Sequence, residues 1–586
     1  MTHRLPAAEQ PPIVAIMIRN RLRRLLCATL PLPALIATAA QAAPSLRAIE
    51  KAHYEAEWSA KPSDATSAGI HRYDTRLDDV SLPFIARQAA RLHRERAALT
   101  ALDVSTLPQR EQDDRDILVA VIDRELIDAE RIQPFRRMPD SYVSLATESL
   151  YGLIDRDFAP LPVRMRAVIA RERQIPALLA LAEKQLADVP PVFLEIARED
   201  LAGSFDFVGK NVPAAFASVS DTTLQTQLKA TTQTTLAALA RYRDFLNGLK
   251  ATGQFALGAD TMRAMLATDL VDLPLDRIVD AGKAQLRKDQ ADFIAAERMV
   301  DPAHPDQALA TVREDHPTAE NLNRTVLDQL KQAQDFVVSR NLLHLPSMSL
   351  PEVLDTPGFE RSLITAATEW PGPFETHATT SFYYVTPIDP HLGARQAQEA
   401  LEDFNRPALL NITVHEAMPG HFVQGLYLRA NPQWSLVRRA SASYATTEGW
   451  AHYTEQMMIE QGFDQANPKL HLMQLQDALL RDCRFLAAFG MHAQGMSLAD
   501  ATTMMQHECH QSSVAAYKEA RRGTADPQYY AYTLGKLMIL HLRDDMRAHQ
   551  GSTFSLAAFH DGLLGAGLVP MKIIRREMTG EDAPLL

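Results

Sequence analysis

The chain has 586 residues, of which 46% are hydrophobic, 23% charged and 7% aromatic, with a formal net charge of −12 at pH 7. This globular composition excludes a mostly disordered or collagen-like chain. The acidic balance argues against a nucleic-acid partner, and three cysteines (Cys27, Cys483, Cys509) are too few for a disulfide scaffold and lack zinc-finger spacing.

Residues 1–42 read as a secretory signal peptide. Arg19, Arg21, Arg23 and Arg24 precede an apolar stretch from Leu25 to Ala40, and Ala40-Gln41-Ala42 supplies a small-x-small cleavage pattern. Met17 is an alternative start. A membrane anchor fits less well, because Pro31 and Pro33 interrupt a stretch shorter than the roughly 20 apolar residues of a span. Cys27 lies too early for lipid attachment. Cleavage after Ala42 leaves 55 basic and 71 acidic residues, a net charge of −16. The expected product is acidic, periplasmic or secreted, with no stable membrane anchor. Cys483 and Cys509 then meet a compartment that permits disulfides, and both a bond and two buried thiols stay open.

Residues 43–586 read as one helical domain, with an N-terminal helical part (43–360) and a metal-site part (361–586). The stretch 45–350 is rich in the helix formers Ala, Leu, Arg, Glu and Gln. Between Val163 and Leu186, Met165, Val168, Ile169, Leu178, Leu179 and Leu181 fall near helical spacing. Leu224, Leu228, Leu236, Leu239 and Leu246 repeat the pattern, behind an N-cap signal at Asp221-Thr222. Proline-containing breaks near 158–162, 186–191, 301–305 and 345–357 separate helices. Residues Thr379 to Thr386 are β-branched and aromatic and stop at Pro387, which predicts a strand and hence a small sheet. A peptide could add to the edge of that strand, with Tyr383 and Tyr384, one on each face, lining the cleft; ordinary sheet packing is the alternative.

The densest chemistry lies in Asn411-Ile-Thr-Val-His415-Glu416-Ala-Met-Pro419-Gly420-His421-Phe422. A His-Glu pair on a helix opens the HExxH zinc pattern, in which two histidines one turn apart bind metal and the Glu activates water. Here the i+4 position is Pro419, and the next histidine, His421, is at i+6. A regular helix would turn His421 about 120° away. Pro419 and Gly420 disturb that helix, and a local bulge could return His421 to His415. Glu448, in Thr446-Thr447-Glu448-Gly449-Trp450-Ala451-His452-Tyr453, is the candidate third ligand, with His452 one turn on as a supporting group or spare ligand. Spacing alone leaves both a zinc site and a chance His-Glu dipeptide open.

With these residues the chain resembles the bacterial family called domain of unknown function 885, whose members look like zinc metallopeptidases with a Glu ligand. The matching residues run from His415 to His421 and through Glu448-Gly449-Trp450-Ala451. Gly490-Met491-His492, Tyr532-Thr-Leu-Gly535-Lys536-Leu537, Phe559 to Leu564, Gly567 and Pro570 also fit. The resemblance implies a mainly α fold, a large helical bundle around a deep cleft with a small β-sheet near the metal. It also implies Zn2+ on His415, His421 and Glu448, with Glu416 as base. Many relatives carry a second histidine where this chain has Phe422, so a working site here marks His421 as the ligand.

Tyr532, within the family-like segment, is the first candidate for stabilising the oxyanion, and His492 the second. Packing roles are the alternatives for both. Arg543, about three turns after Tyr532, could meet a substrate carboxylate or lie on the surface. His507-Glu508-Cys509-His510 has its second histidine at i+3, and Gly495 to Ala499 lacks the final glycine of a nucleophile elbow, so neither carries chemistry. The expected activity is zinc-dependent hydrolysis of short peptides. A non-catalytic peptide-binding protein and a zinc hydrolase of other amides or esters are the alternatives.

Overall fold

Ser45 opens the first helix, α1 (Leu46–Ala60), by accepting a hydrogen bond from the Ala48 amide. The computed structural model describes residues 45–358, 361 and 364–586. The expected signal peptide, residues 1–42, lies outside them. Helices follow in series: α2 (Leu82–Ala101), α3 (Gln109–Ile127), α4 (Leu161–Glu172), α5 (Thr222–Gly248) and α6 (Leu275–Val300). Asp221 caps α5 as expected, accepting from the Thr223 and Leu224 amides. The periodic stretch 163–186 is two helices, because Pro176 starts a second one at Ile175.

A core of Tyr142, Met165, Leu179, Leu239 and Leu246 holds α4 and α5 together. The main core draws on both sides of residue 360, from Leu92, Leu118 and Met265 to Trp450, Phe489 and Leu534. The protein is mainly α, with one small sheet among the described residues. Among the described residues, no helix is long and apolar enough to cross a membrane.

The sheet contains β1 (Glu352–Asp355), β2 (Ala366–Glu369) and β3 (Phe382–Val385), in the order β1-β3-β2. β1 runs parallel to β3 and β2 antiparallel, with Thr368 opposite Tyr383. The expected strand is therefore the central one. Its edges are taken, and the free edge near the site belongs to β2.

Five helices frame the candidate site: α7 (Arg406–Glu416), α8 (His421–Ala430), α9 (Tyr444–Glu460), α10 (Pro468–Ala493) and α11 (Ala531–Gln550). Asn405 caps α7 through the Ala408 amide at 2.9 Å, with Pro407 in the first turn. α9 and α11 cross at Gly449 and Gly535. A Cβ on Gly449 would stand 2.4 Å from Gly535 Cα, so the crossing tolerates no side chain there. Cys483 of α10 and Cys509 are joined by a disulfide, which settles the two open cysteine readings in favour of the bond.

Candidate metal centre

The His-Glu helix stops rather than bulges. Ala417 leaves helical dihedrals, with φ −125° and ψ −67°, and α8 starts afresh at His421. Between them the Gly420 amide folds back to the Val414 carbonyl at 3.0 Å. Gly420 packs so closely that a Cβ would lie 1.7 Å from the His415 carbonyl oxygen. The Trp450 indole donates to the Pro419 carbonyl at 2.9 Å and pins this turn to α9. The result sets the rings of His415 and His421 4.9 Å apart and nearly perpendicular, at 88°.

Glu448 faces both imidazoles. Its Oε2 lies 3.5 Å from His415 Nε2 and 3.4 Å from His421 Nε2. Tetrahedral zinc with bonds of about 2.1 Å sets neighbouring ligand atoms about 3.4 Å apart, so these separations suit one ion. Glu448 Oε2 is buried and accepts no hydrogen bond among the described residues. An orphaned carboxylate oxygen is costly unless a cation completes it. One open position on a His/His/Glu set suits a borderline dication such as zinc.

The second ring nitrogens are also placed. His415 Nδ1 donates to Glu455 Oε1 at 2.6 Å, and His421 Nδ1 donates to Gln424 Oε1 at 3.0 Å. The Gln424 amide nitrogen donates to the Thr447 carbonyl at 3.2 Å, which fixes its oxygen toward His421. Both Nδ1 atoms are therefore engaged as donors, which turns the two Nε2 atoms toward the centre. Burial alone would raise the Glu455 carboxyl, but Arg481 and the neighbouring histidines outweigh it and hold the group well below the usual range. Arg481 lies 3.2 Å from Glu455 Oε1, and Asn411 donates to Glu455 Oε2 at 3.3 Å.

Glu416 sits beside the triad. The Thr368 amide of β2 donates to its Oε2 at 2.9 Å, and the Thr368 hydroxyl donates to its backbone carbonyl at 2.6 Å. Burial pushes the Glu416 carboxyl up, partly offset by His421 and His415.

A family model described as a bacterial protein of unknown function, DUF885, matches residues 62–578. The chain belongs to the DUF885 family. No curated protein matches it. Two solved structures share its fold. A candidate lipoprotein of unknown function from Shewanella oneidensis has a TM-score of 0.75 at 24% identity, with 92% of this chain and 100% of that chain covered. A candidate lipoprotein from Colwellia psychrerythraea has a TM-score of 0.77 at 18% identity, covering 91% and 98%.

In this DUF885 chain the remaining expected site residues divide. Tyr532 reaches the centre: its ring stacks on His415 at 6.3 Å, and its hydroxyl is 3.5 Å from that of Tyr444. His492 does not. Its Nε2 is bound to the Gly523 carbonyl at 2.8 Å, about 16 Å further along α10 than Arg481. Arg543 is also a correction. It is buried, pairs with Glu460 at 2.7 Å, and lies about 16 Å along α11 from Tyr532. Tyr383 and Tyr384 do not line an opening. Tyr383 is fully buried, with its hydroxyl 3.2 Å from that of Thr413 on α7. Tyr384 is buried and accepts from the Tyr151 hydroxyl at 2.9 Å. β3 is covered on both faces, which is why both tyrosines pack. His452 is a supporting group: its Nδ1 faces Glu455 Oε2 at 3.4 Å.

Proposed function

We propose that this DUF885 protein is an exported zinc-dependent peptidase that hydrolyses short peptides. The observation that carries the reading is the orphaned Glu448 Oε2 held between two Nε2 atoms, with Glu416 alongside. His415, His421 and Glu448 would hold the ion. Zinc bound there supplies Lewis acidity, which activates water and polarises a carbonyl at neutral pH.

Glu416 takes the proton from the attacking water and returns it to the leaving amine. The Thr368 amide steadies one of its oxygens and leaves the other for this exchange. The Tyr532 hydroxyl, backed by Tyr444, donates to the developing oxyanion. An extended peptide docks on the outer edge of β2, where Ala366 presents its amide and carbonyl on the same side as Thr368.

A non-catalytic scaffold was suggested by the i+6 spacing and by Phe422. The helix break accounts for the spacing, and Phe422 is buried in the main core. Export is supported by the leader pattern, by the Cys483–Cys509 disulfide and by the lipoprotein description of the two similar structures.

The test is zinc content and cleavage together. His421→Ala should remove one zinc equivalent, and Glu416→Gln should keep it while abolishing cleavage. A panel of peptides, acyl-amino acids and esters separates peptidase from other hydrolase action. An unchanged zinc content in His421→Ala overturns the reading.

A further inference from the structure

A second constellation with metal-site features lies among the N-terminal helices. His53 and Glu57 are one turn apart on α1, and Glu125 comes from α3. One ligand atom from each lies within 4.8 Å of the others. His53 is fully buried. Its Nδ1 donates to Glu95 Oε2 of α2 at 2.9 Å, so Nε2 carries the lone pair, as in His415 with Glu455. His53 Nε2 has no partner among the described residues; the Glu57 and Glu125 carboxyls face one another, and Glu57 Oε2 also faces the Lys61 ammonium. The unpartnered atom here is therefore the buried imidazole nitrogen, aimed at two acids that Lys61 already neutralises in part. The site also has a route to solvent. Glu57, Lys61 and Glu125 line a cavity of about 980 Å3 that none of the expected catalytic residues reaches.

Two cations already touch these acids. Arg91 pairs with Glu57 Oε1. The Lys61 ammonium donates to Glu125 Oε1 at 3.1 Å and approaches Glu57 Oε2 to 2.8 Å, outside hydrogen-bond geometry. Arg91 is largely buried, whereas the Lys61 side chain is 43% exposed on the cavity wall. Lys61 can therefore withdraw into the cavity without unpacking a helix.

We propose that His53, Glu57 and Glu125 form a second, exchangeable site for a transition-metal dication such as zinc or cobalt(II), in which Lys61 and the metal exclude one another. One imidazole nitrogen with two carboxylate oxygens suits such ions better than calcium, which takes oxygen ligands throughout. Displacing an ammonium makes this site weaker than the His415 centre.

The test uses the full chain carrying His421→Ala, titrated with Zn2+ by calorimetry and with Co2+ by absorption. One saturable equivalent is expected. Adding Glu125→Gln should weaken it by about tenfold or more. Adding Lys61→Met should tighten it severalfold and make the melting temperature rise with zinc. Loss of an equivalent between wild type and His421→Ala reports separately on the other centre. Absence of a saturable equivalent in His421→Ala overturns the proposal. So does an equivalent that neither Glu125→Gln nor Lys61→Met alters. If Glu125→Gln does not fold, the Lys61→Met shift decides alone.

Discussion

Glu455 meets His415 Nδ1 at 2.6 Å from a position two helical turns beyond Glu448 on the same helix. One rigid element thus presents a candidate ligand and orients the imidazole that would share the ion with it. Replacing the carboxylate weakens the proton's hold on Nδ1. Glu455→Gln is expected to lower zinc affinity by about 10–100-fold, read by competition with a chelator. An unchanged affinity would remove Glu455 from the site.

Gly420 is required for space rather than for unusual dihedrals, since its φ is −73°. Any Cβ meets the His415 carbonyl. Gly420→Ala should therefore destabilise the fold by about 3 kcal/mol and separate the two histidines. Denaturant unfolding and zinc content should fall together.

Tyr532 stacks on His415 but touches no expected ligand atom through its hydroxyl. Tyr532→Phe should leave zinc content and folding intact and lower kcat by about 100-fold, with KM little changed. Steady-state kinetics on a peptide cleaved by the wild type gives the result. A kcat within twofold of wild type would return Tyr532 to a packing role.

Glu172 offers a pH test remote from the metal. It is fully buried, and burial raises its carboxyl from 4.5 to about 7 despite hydrogen bonds from Thr231 and Thr232. The folded chain holds this proton more tightly than the unfolded one. Its contribution is complete below about pH 4.5 and is lost as pH rises through about 7, a change of about 3 kcal/mol. Glu172→Gln removes that dependence. The variant should melt above wild type near pH 8 and converge with it near pH 4.5.

Much of the centre is legible in sequence because helices convert spacing into direction. Tyr444, Glu448 and Glu455 lie four and seven residues apart, one face of α9, and that periodicity could have pointed to Tyr444 and Glu455 as well. His421 is different. Its placement depends on a helix ending and another beginning, which residue types signal only as a disturbance at Pro419-Gly420. Thr368 has no local signature, because its role comes from the pairing of β2 with β3, where its partner Tyr383 is fifteen residues later. Tyr383 and Tyr384 misled for the same reason: alternation predicts a strand but not whether it is central or at an edge. His492 and Arg543 sit in recognisable segments, but their distance along α10 and α11 separates them from the chemistry.

Thr368 holds Glu416 twice, by its side chain and by its backbone. The strand edge and the carboxylate are thereby tied into one mechanical piece. A displacement of β2 would carry Glu416 with it and keep the offset between them. Alignment at that point is a local property of two residues.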